Sequence, residues 1–442
     1  SIGGRPLTDL ARRALAGLAA SLMLAGVARA ETPALTNVRY NEDWSVLADP
    51  AARTGRWTEA FKYIPFDDEG RAYLTTGLEL RLRNEDFRDN LWGSADAPDD
   101  GYGLARALPY ADLHLGRVRA FVQPVVAYAA SLAPAAGPVD ETGVDLLQGF
   151  VEVRHPLGES SLTLRAGRQM LSLGTERLVG TRYGPNVPLA FDGVRADFKV
   201  AAGVISLLKV KPVSPRPGDF DDRASRTKSL SGAYAALPGL DLYYLDYRNR
   251  AAVFGGLRGE EHRHSLGVRG FGKIDAWSWN IEGVLQGGTF GQQKIRAWTL
   301  GSEVARRFDA EPLSPRARVR FNIVSGDTDR GDRKLGTFNA LFPKGKYFGE
   351  LSPIGPYNIV SLNPEVSFDL GKQVTLGLAG MAYWRYARAD GIYDVPGDLI
   401  RAAGRRQPFH RQAGRGRARL ASHPRTGPLD LVLRLRPRRV HP

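Results

Sequence analysis

The sequence predicts an all-β protein, a transmembrane antiparallel β-barrel of about 16–18 strands, of which about 15 are readable from the pattern. Three observations support this. Apolar and polar residues alternate with a period of two from residue 72 onward. The connections between successive strands alternate between short turns and long polar segments. The second face of the strands carries Arg, Glu, Asp and Asn, which a dry core would leave unpaired.

The alternation is clearest in 74–83 (LTTGLELRLR), where the leucines fall on one face of an extended strand and the charged residues on the other. The same separation recurs in 193–200, 316–323, 358–368 and 373–385. It predicts strands with one apolar face and one charged face.

The connections favour a barrel over a sandwich. Short turns fall at 116–117, 155–158, 237–239 and 369–372. The long polar segments are 84–106, 129–145, 170–188, 212–227, 249–261, 325–357 and 386–400. A closed barrel with lipid outside and water inside satisfies both faces, with short periplasmic turns and long outer loops. A soluble, secreted all-β protein is the alternative.

Composition excludes several classes. The chain has 442 residues and no cysteine, which excludes disulfide scaffolds, thiolate zinc sites and iron–sulfur clusters. No apolar run reaches the ~18 residues of a transmembrane helix, so a helical membrane bundle is excluded. We expect no cofactor, and an enzyme is not the favoured interpretation because no phosphate loop or nucleophile elbow is present.

The net charge of +14 lies at the two ends of the chain. Residues 401–442 contribute +11 and residues 1–30 contribute +3, which leaves 14 − 11 − 3 = 0 for 31–400. A neutral body has no long-range attraction for phosphate backbones, so nucleic acid is not an expected partner.

The chain divides into four predicted parts. Residues 1–30 form a cleaved signal peptide, because Arg12 and Arg13 precede an apolar stretch at 14–27 and a small-x-small site at 28–30. Residues 31–71 are a periplasmic lead-in or a plug segment, and we favour a lead-in at or inside the periplasmic mouth. Residues 72–400 are the barrel, which places the protein in the outer membrane of a Gram-negative cell.

Residues 401–442 form an aberrant basic tail. The alternation stops after Gly404, and the composition of the tail is typical of a shifted reading frame. We therefore expect that a frameshift has removed the closing strands. The rival interpretation is a genuine basic tail that binds lipopolysaccharide phosphates or nucleic acid.

Two segments contain recognisable sequence motifs in addition to the alternation. The first comprises 165–169 (RAGRQ), 174–180 (GTERLVG), 184–186 (GPN) and 191–195 (FDGVR). The second comprises 325–327 (SGD), 336–339 (GTFN), 341–343 (LFP) and 347–349 (YFG). Together they resemble the alginate-export family of outer-membrane proteins, and the resemblance covers most of 72–400.

The resemblance implies a monomeric barrel whose Arg-lined pore passes an acidic polysaccharide outward. Carried over by position, Arg165, Arg168 and Arg195 match basic sites of the first segment, and Asp192 matches its acidic site. It also implies periplasmic polysaccharide-export proteins as partners, beside outer-membrane lipids and lipopolysaccharide.

The residues themselves predict a positively charged lumen. Arg316, Arg318 and Arg320 recur at every second position and form a ladder on one strand face. Because Arg pairs bidentately with carboxylates, such a ladder suits a polyuronate. The other candidates for the pore lining are Arg81, Arg83, Lys209, Lys211 and Arg269.

Other interpretations stay open. Lumenal arginines also pair with acidic residues only to satisfy buried charge, and Glu79, Glu152, Asp197 and Glu282 are available for that. A general anion or nutrient porin uses the same architecture, and a rim-active outer-membrane lipid hydrolase represents another class. His262 and His264 share a strand face, but a solvated rim pair is favoured there over a metal site.

Overall fold

The computed structural model describes residues 33–88, 100–133, 135–345, 347–348, 354–370, 374–403 and 430–437. The predicted signal peptide lies outside the described residues, as does most of the predicted basic tail.

Sixteen strands of eight or more residues form the described sheet, and fifteen of them lie within 72–385, which confirms the number read from the alternation. They are β1 (Ala72–Phe87), β2 (Asp100–Leu115), β3 (Val118–Ala130), β4 (Gly143–Leu157), β5 (Ser160–Gln169), β6 (Phe191–Val200), β7 (Gly203–Ser214), β8 (Lys228–Leu237), β9 (Leu240–Phe254), β10 (Leu257–Ile274), β11 (Trp277–Phe290), β12 (Gln293–Arg307), β13 (Arg316–Val324), β14 (Ile359–Asp369), β15 (Val374–Arg385) and β16 (Asp430–Pro437).

Short elements complete the described chain. Four 3-10 helices precede β1, at Arg39–Asn41, Trp44–Ala48, Pro50–Ala52 and Trp57–Phe61. Two- and three-residue strands lie at Ile64–Pro65, Arg223–Ala224, Lys334–Leu335, Ile392–Tyr393 and Leu399–Arg401. Within the described ranges, no helix has the length and hydropathy needed to cross a membrane.

Each long strand pairs antiparallel with the next one, from β1 with β2 through β15 with β16. The pairing of β1 with β2 runs without interruption from Ala72 opposite Leu115 to Phe87 opposite Asp100. Short connections such as 116–117 and 201–202 lie at one end of the strands, called the turn end. Long connections such as 170–190 and 325–358 lie at the other, called the loop end.

One predicted loop is a strand hairpin instead. The segment 249–261 was predicted as a long polar connection, but β9 and β10 run through it and meet at Gly255 and Gly256. Both glycines have positive φ, at 56° and 85°, as a two-residue type I′ turn requires. The prediction is wrong because paired strands extend past the apolar zone, where polar side chains suit the outward face.

The strand β16 was not predicted either. Its sequence, 430–437 (DLVLRLRP), alternates leucine with other residues, and it pairs with β15 from Val374 to Met381. Eight alternating residues are easily overlooked beside the Arg-rich stretch before them. The pairing places a sixteenth strand inside the segment predicted to be an aberrant tail.

The two faces of the sheet meet different surroundings. On β1, Leu78, Leu80 and Leu82 are 61%, 71% and 86% exposed on the outward face. On the inward face of β2, Leu108 and Arg106 are almost completely buried. An apolar outward face is what a lipid environment requires, so the fold is a transmembrane β-barrel.

The inside of the barrel is packed by segments that fold in from its ends. Leu171 and Val179, from the connection 170–190, are fully buried with Tyr247 of β9 and with Phe342. The connections 325–358 and 386–398 join the same apolar cluster through residues such as Phe338 and Tyr393. The expectation of a polar, water-lined interior is therefore only partly correct, because the inserted segments cover apolar inward residues near the loop end.

The segment before β1 also lies inside. The Tyr40 ring packs edge-on against Phe121 of β3 and Phe150 of β4, with ring centroids 5.9 and 5.2 Å apart. Its hydroxyl donates a hydrogen bond to the Met170 carbonyl at 2.7 Å. The lead-in thus contacts both the barrel wall and the connection 170–190.

The connection 170–190 contacts widely separated strands, which shows how far the sheet curves. On one side, the Arg81 guanidinium of β1 donates to the carbonyls of Gly184 and Pro185 at 3.0 and 2.7 Å. On another side, Arg177 donates to the side-chain oxygen of Asn322 on β13 at 3.1 Å. The connection 170–190 therefore bridges strands β1 and β13 inside the barrel.

Replacing Arg81 by Gln removes the cation that holds the carbonyls at 183–185. A half-buried, charge-assisted anchor of this kind contributes about 1–3 kcal/mol. We expect the free energy of unfolding in urea to fall by about that amount for protein refolded into lipid. Arg88→Gln is the control, because Arg88 is exposed beside Asp86 and its loss should stay within about 0.5 kcal/mol. Equal effects of the two substitutions would contradict the anchoring role.

Candidate functional site

The three arginines of the predicted ladder all lie on the inward face of β13. They share that face with Asn322, which is buried and receives the hydrogen bond from Arg177, whereas Val319 is exposed on the outward face. The ladder begins at Arg316 at the turn end, where the connection 308–315 precedes β13. With short turns on the periplasmic side, Arg316 lies at the periplasmic mouth.

Neighbouring strands supply carboxylates to two rungs of the ladder. Arg320 lies opposite Glu303 of β12, and its Nε donates to that carboxylate at 2.6 Å. Arg318 lies opposite Glu365 of β14, pairs with it, and also has Glu303 within 3.8 Å. Arg316 makes no ion pair with the described residues. Three cations against two anions leave this wall with an excess of one positive charge.

Two further cations reach the same wall from the inserted segments. Lys344 is half-buried in the connection 325–358, and burial together with the nearby Arg320 charge lowers its pKa. Arg177 contacts Tyr347 and pairs with Glu282 at 3.2 Å. Neither residue was among the predicted pore-lining residues, although Arg177 belongs to the first motif segment and Lys344 adjoins part of the second.

The inward cations Arg81, Arg83 and Arg106 hold the connection 170–190 rather than line an open path. Arg83 donates to the Gly184 carbonyl at 2.9 Å, the same carbonyl that Arg81 reaches. Arg106, which the sequence analysis missed, donates to the carbonyls of Tyr183 and Pro185, each at 3.1 Å. These guanidinium groups supply the hydrogen-bond donors that the backbone carbonyls of a non-repetitive segment would otherwise lack.

Four more candidates are paired with acidic residues. Arg165 contacts Glu152 at 2.5 Å and lies over the Tyr40 ring at 4.1 Å. Arg168 pairs with Asp192 at 2.8 Å, so these two candidates neutralise each other.

Arg195 and Arg269 follow the same principle. Arg195 pairs with Asp197 at 2.8 Å, and Arg269 pairs with Asp241 at 2.6 Å. For these residues the geometry is that of charge satisfaction inside a low-dielectric wall.

Lys209 and Lys211 do not face the lumen. Both are exposed and share a strand face with Ile205 and Leu207, whereas Ser206, Leu208 and Val210 are buried on the inward face. The alternation was ambiguous here because apolar residues occupy both faces of β7. The structure therefore places the two lysines on the outer surface of the barrel.

A further cation lies among the inserted segments. Arg182 donates from Nε to the Pro343 carbonyl at 3.2 Å, and its burial lowers its pKa. The Asp394 carboxyl lies close enough to act on this charge, and burial raises the pKa of Asp394 to about 6. Arg182 is therefore another lumenal cation without a close acidic partner among the described residues.

The predicted rim pair lies on the outer surface. His262 and His264 contact the Asp246 carboxylate at 2.7 and 3.1 Å, and Tyr244 contacts His264 at 2.7 Å. The three potential ligand groups lie within 4.8 Å of one another. They share an outward strand face with Leu266, which is 61% exposed, so they are remote from the lumen.

Solved structures with a similar fold are outer-membrane proteins. OccK11 (OpdR) of Pseudomonas aeruginosa is 12% identical, with a TM-score of 0.44 over 71% of this chain and 79% of its own. A BenF-like porin from Pseudomonas fluorescens Pf-5 is 11% identical, with a TM-score of 0.47 over 71% and 82%. OccAB1 of Acinetobacter baumannii is 15% identical, with a TM-score of 0.43 over 71% and 80%. At these scores the likeness carries no statement about function.

A search of curated proteins finds no match. The family model for alginate export matches residues 72–422, which is well over half of the chain. The match includes both motif segments and extends beyond residue 400, the boundary predicted for the barrel. The chain is therefore an outer-membrane β-barrel channel protein that belongs to the alginate-export family.

Proposed function

We propose that the channel passes an acidic polysaccharide outward, by passive movement along a positively charged lumenal wall. The observation that carries the proposal is the inward ladder of Arg316, Arg318 and Arg320, continued by Lys344. A polyuronate presents one carboxylate per sugar, and the planar Arg guanidinium matches a carboxylate with two parallel hydrogen bonds.

The ion pairs already present in the ladder favour movement of a polymer over its tight retention. Arg318 and Arg320 are already held by Glu365 and Glu303, so an incoming carboxylate competes with a resident one. Its net gain at each rung is small, because one ion pair replaces another. Weak contacts at successive sites let a polymer advance, whereas a few strong contacts would trap it.

The charge gradient favours entry from the periplasmic side. Arg316 lies at the turn end without an ion pair among the described residues, so it is the first cation that an entering chain meets. At physiological ionic strength, fields between exposed charges decay over about 8 Å, which is slightly more than the roughly 7 Å between successive rungs, so the field of each rung overlaps with that of the next and a carboxylate can pass between them. Lys344 would receive the chain from Arg320, whose charge already acts on it.

A second candidate is a channel for small anions. The inserted segments 36–63 and 170–190 fill part of the lumen with buried side chains such as Tyr40 and Leu171. This narrowing favours small solutes over a polymer. The two candidates share the positive wall and differ in whether a uronate chain can thread it.

Planar-bilayer recordings with oligomannuronate separate the two candidates. We expect the uronate to block the current at concentrations where a neutral oligosaccharide of equal size does not. Replacing all three ladder arginines by Gln should raise the half-blocking concentration about tenfold or more, equivalent to about 1.4 kcal/mol.

The opposite charge change is the matched control for the ladder. Glu303→Gln together with Glu365→Gln frees Arg320 and Arg318, so the block should become stronger. Current that ignores both sugars, with normal conductance, would overturn the polysaccharide proposal and leave the small-anion channel.

Lys344→Gln tests the continuation of the ladder without leaving an acidic residue unpaired. We expect the half-blocking concentration of oligomannuronate to rise several-fold, because one positive charge is lost from the path. Lys294→Gln is the control, since it makes the same chemical change on the outer surface. If both substitutions leave the block unchanged, Lys344 is not part of the path.

A further inference from the structure

The outward surface of strands β7 to β12 changes character abruptly near the loop end. One row of directly paired residues is apolar: Leu207, Ala233, Tyr244, Leu266, Leu285 and Trp298. The next row toward the loop end is polar and basic: Lys209, Ser231, Asp246, His264, Gly287 and Arg296. One step further lie Lys211, Ser229, Arg248, His262, Thr289 and Lys294.

The exposure pattern confirms that these rows face outward. Leu207, Leu266 and Leu285 are 55%, 61% and 66% exposed, whereas the intervening Leu208 and Arg263 are buried inside the barrel. The apolar row therefore contacts lipid tails. The two polar rows begin where the hydrocarbon ends, at the depth of the lipid headgroups of the outer leaflet.

The two polar rows form what is here called the basic surface. Within these rows of β7 to β12 it carries five cations, Lys209, Lys211, Arg248, Lys294 and Arg296, against the carboxylate of Asp246. On the neighbouring β6, Asp192 lies opposite Lys211 but is paired with Arg168. The Asp246 carboxylate is engaged by His262, His264 and Arg248. The side chains of the other four cations are exposed and make no hydrogen bond or ion pair with the described residues.

The free cations are arranged as two pairs. Lys209 and Lys211 lie two residues apart on β7, and Lys294 and Arg296 lie two residues apart on β12. Residues at this spacing on one strand face are about 7 Å apart, so each pair can contact a single phosphate group from two sides. The two pairs are separated by five strand spacings of about 4.8 Å, or about 24 Å.

The basic surface is local rather than a general property of the rim. On β1, β2 and β3 the corresponding apolar row is Leu82, Ala105 and Tyr128. The row beyond it is Asn84, Gly103 and Ala130, none of which is charged. An aqueous rim alone does not account for five cations concentrated on one side.

We propose that the basic surface binds the phosphate groups of outer-leaflet lipopolysaccharide, with one phosphate at each cation pair. Because the two pairs lie farther apart than the two phosphates of one lipid A disaccharide, each pair would hold a phosphate of a separate lipid molecule, and the acyl chains of each molecule would lie against the apolar row directly below. Charge complementarity between Lys or Arg and an anionic headgroup favours binding at a membrane surface, so each pair selects a phosphorylated lipid over an uncharged one. This site is independent of the lumenal path.

The test uses the full-length protein in an uncharged detergent, with bound lipid counted by native mass spectrometry. Lipid A is the probe, and dephosphorylated lipid A and inorganic phosphate are the comparison ligands. We expect the intact protein to retain lipid A at least tenfold more tightly than the dephosphorylated form. Inorganic phosphate should not displace it at equal concentration, because it lacks the acyl contacts.

Variants locate the site. Lys209→Gln with Lys211→Gln, and Lys294→Gln with Arg296→Gln, should each weaken lipid A binding at the altered pair about tenfold and leave the lipid at the other pair bound. Lys209→Arg with Lys211→Arg should retain binding, which guards against misfolding as the explanation. Arg306→Gln is the matched control, since Arg306 is exposed at the turn end of β12 and should have no effect.

Two results would overturn the proposal. One is equal retention of dephosphorylated lipid A, and the other is unchanged lipid A binding when all four cations are replaced by Gln. The channel current of the variants should match that of the intact protein, because none of the four side chains faces the lumen.

Discussion

The structure depends first on the backbone hydrogen bonds between neighbouring strands. Lipid offers no partner for an N–H or a carbonyl, so every spanning strand must satisfy its polar backbone on its neighbours. Sixteen described strands do this in one antiparallel meander. The arrangement forces alternate side chains outward, where only apolar residues are stable, and leaves the inward face free to carry charge. The side chains of the inward face therefore determine what a solute meets inside the channel.

Inside the barrel, burial of charge decides what each cation can do. Arg81 and Arg106 hold the carbonyls of an inserted connection, and Arg165 and Arg269 are neutralised by acidic neighbours. A buried ion pair recovers its desolvation cost only when its geometry is good, so such residues are committed to the fold. The wall formed by β12, β13 and β14 differs because its cations outnumber its carboxylates. Only the positive charge that is not neutralised by carboxylates of the protein is available to attract an anion.

The period-two alternation predicted the strands and the inward ladder because strand geometry is a local property that neighbouring residues determine. It could not predict Glu303 and Glu365 as partners of the ladder, since those pairs depend on the register between strands. It misplaced Lys209 and Lys211, because β7 has apolar residues on both faces and the alternation there does not show which face points outward. The inserted connections carry no periodic signal, so their packing and the role of Lys344 became visible only in three dimensions.

The central claim is that the lumen keeps an excess of positive charge after its internal pairing. The most direct test is the reversal potential of the intact channel in a planar bilayer under a tenfold gradient of potassium chloride. We expect a reversal potential whose sign shows that chloride passes more readily than potassium. The potential should be larger near 0.1 M salt, where charges act over about 10 Å, than near 1 M, where they act over about 3 Å. A reversal potential of zero, or one with the sign of potassium selectivity, would contradict the account.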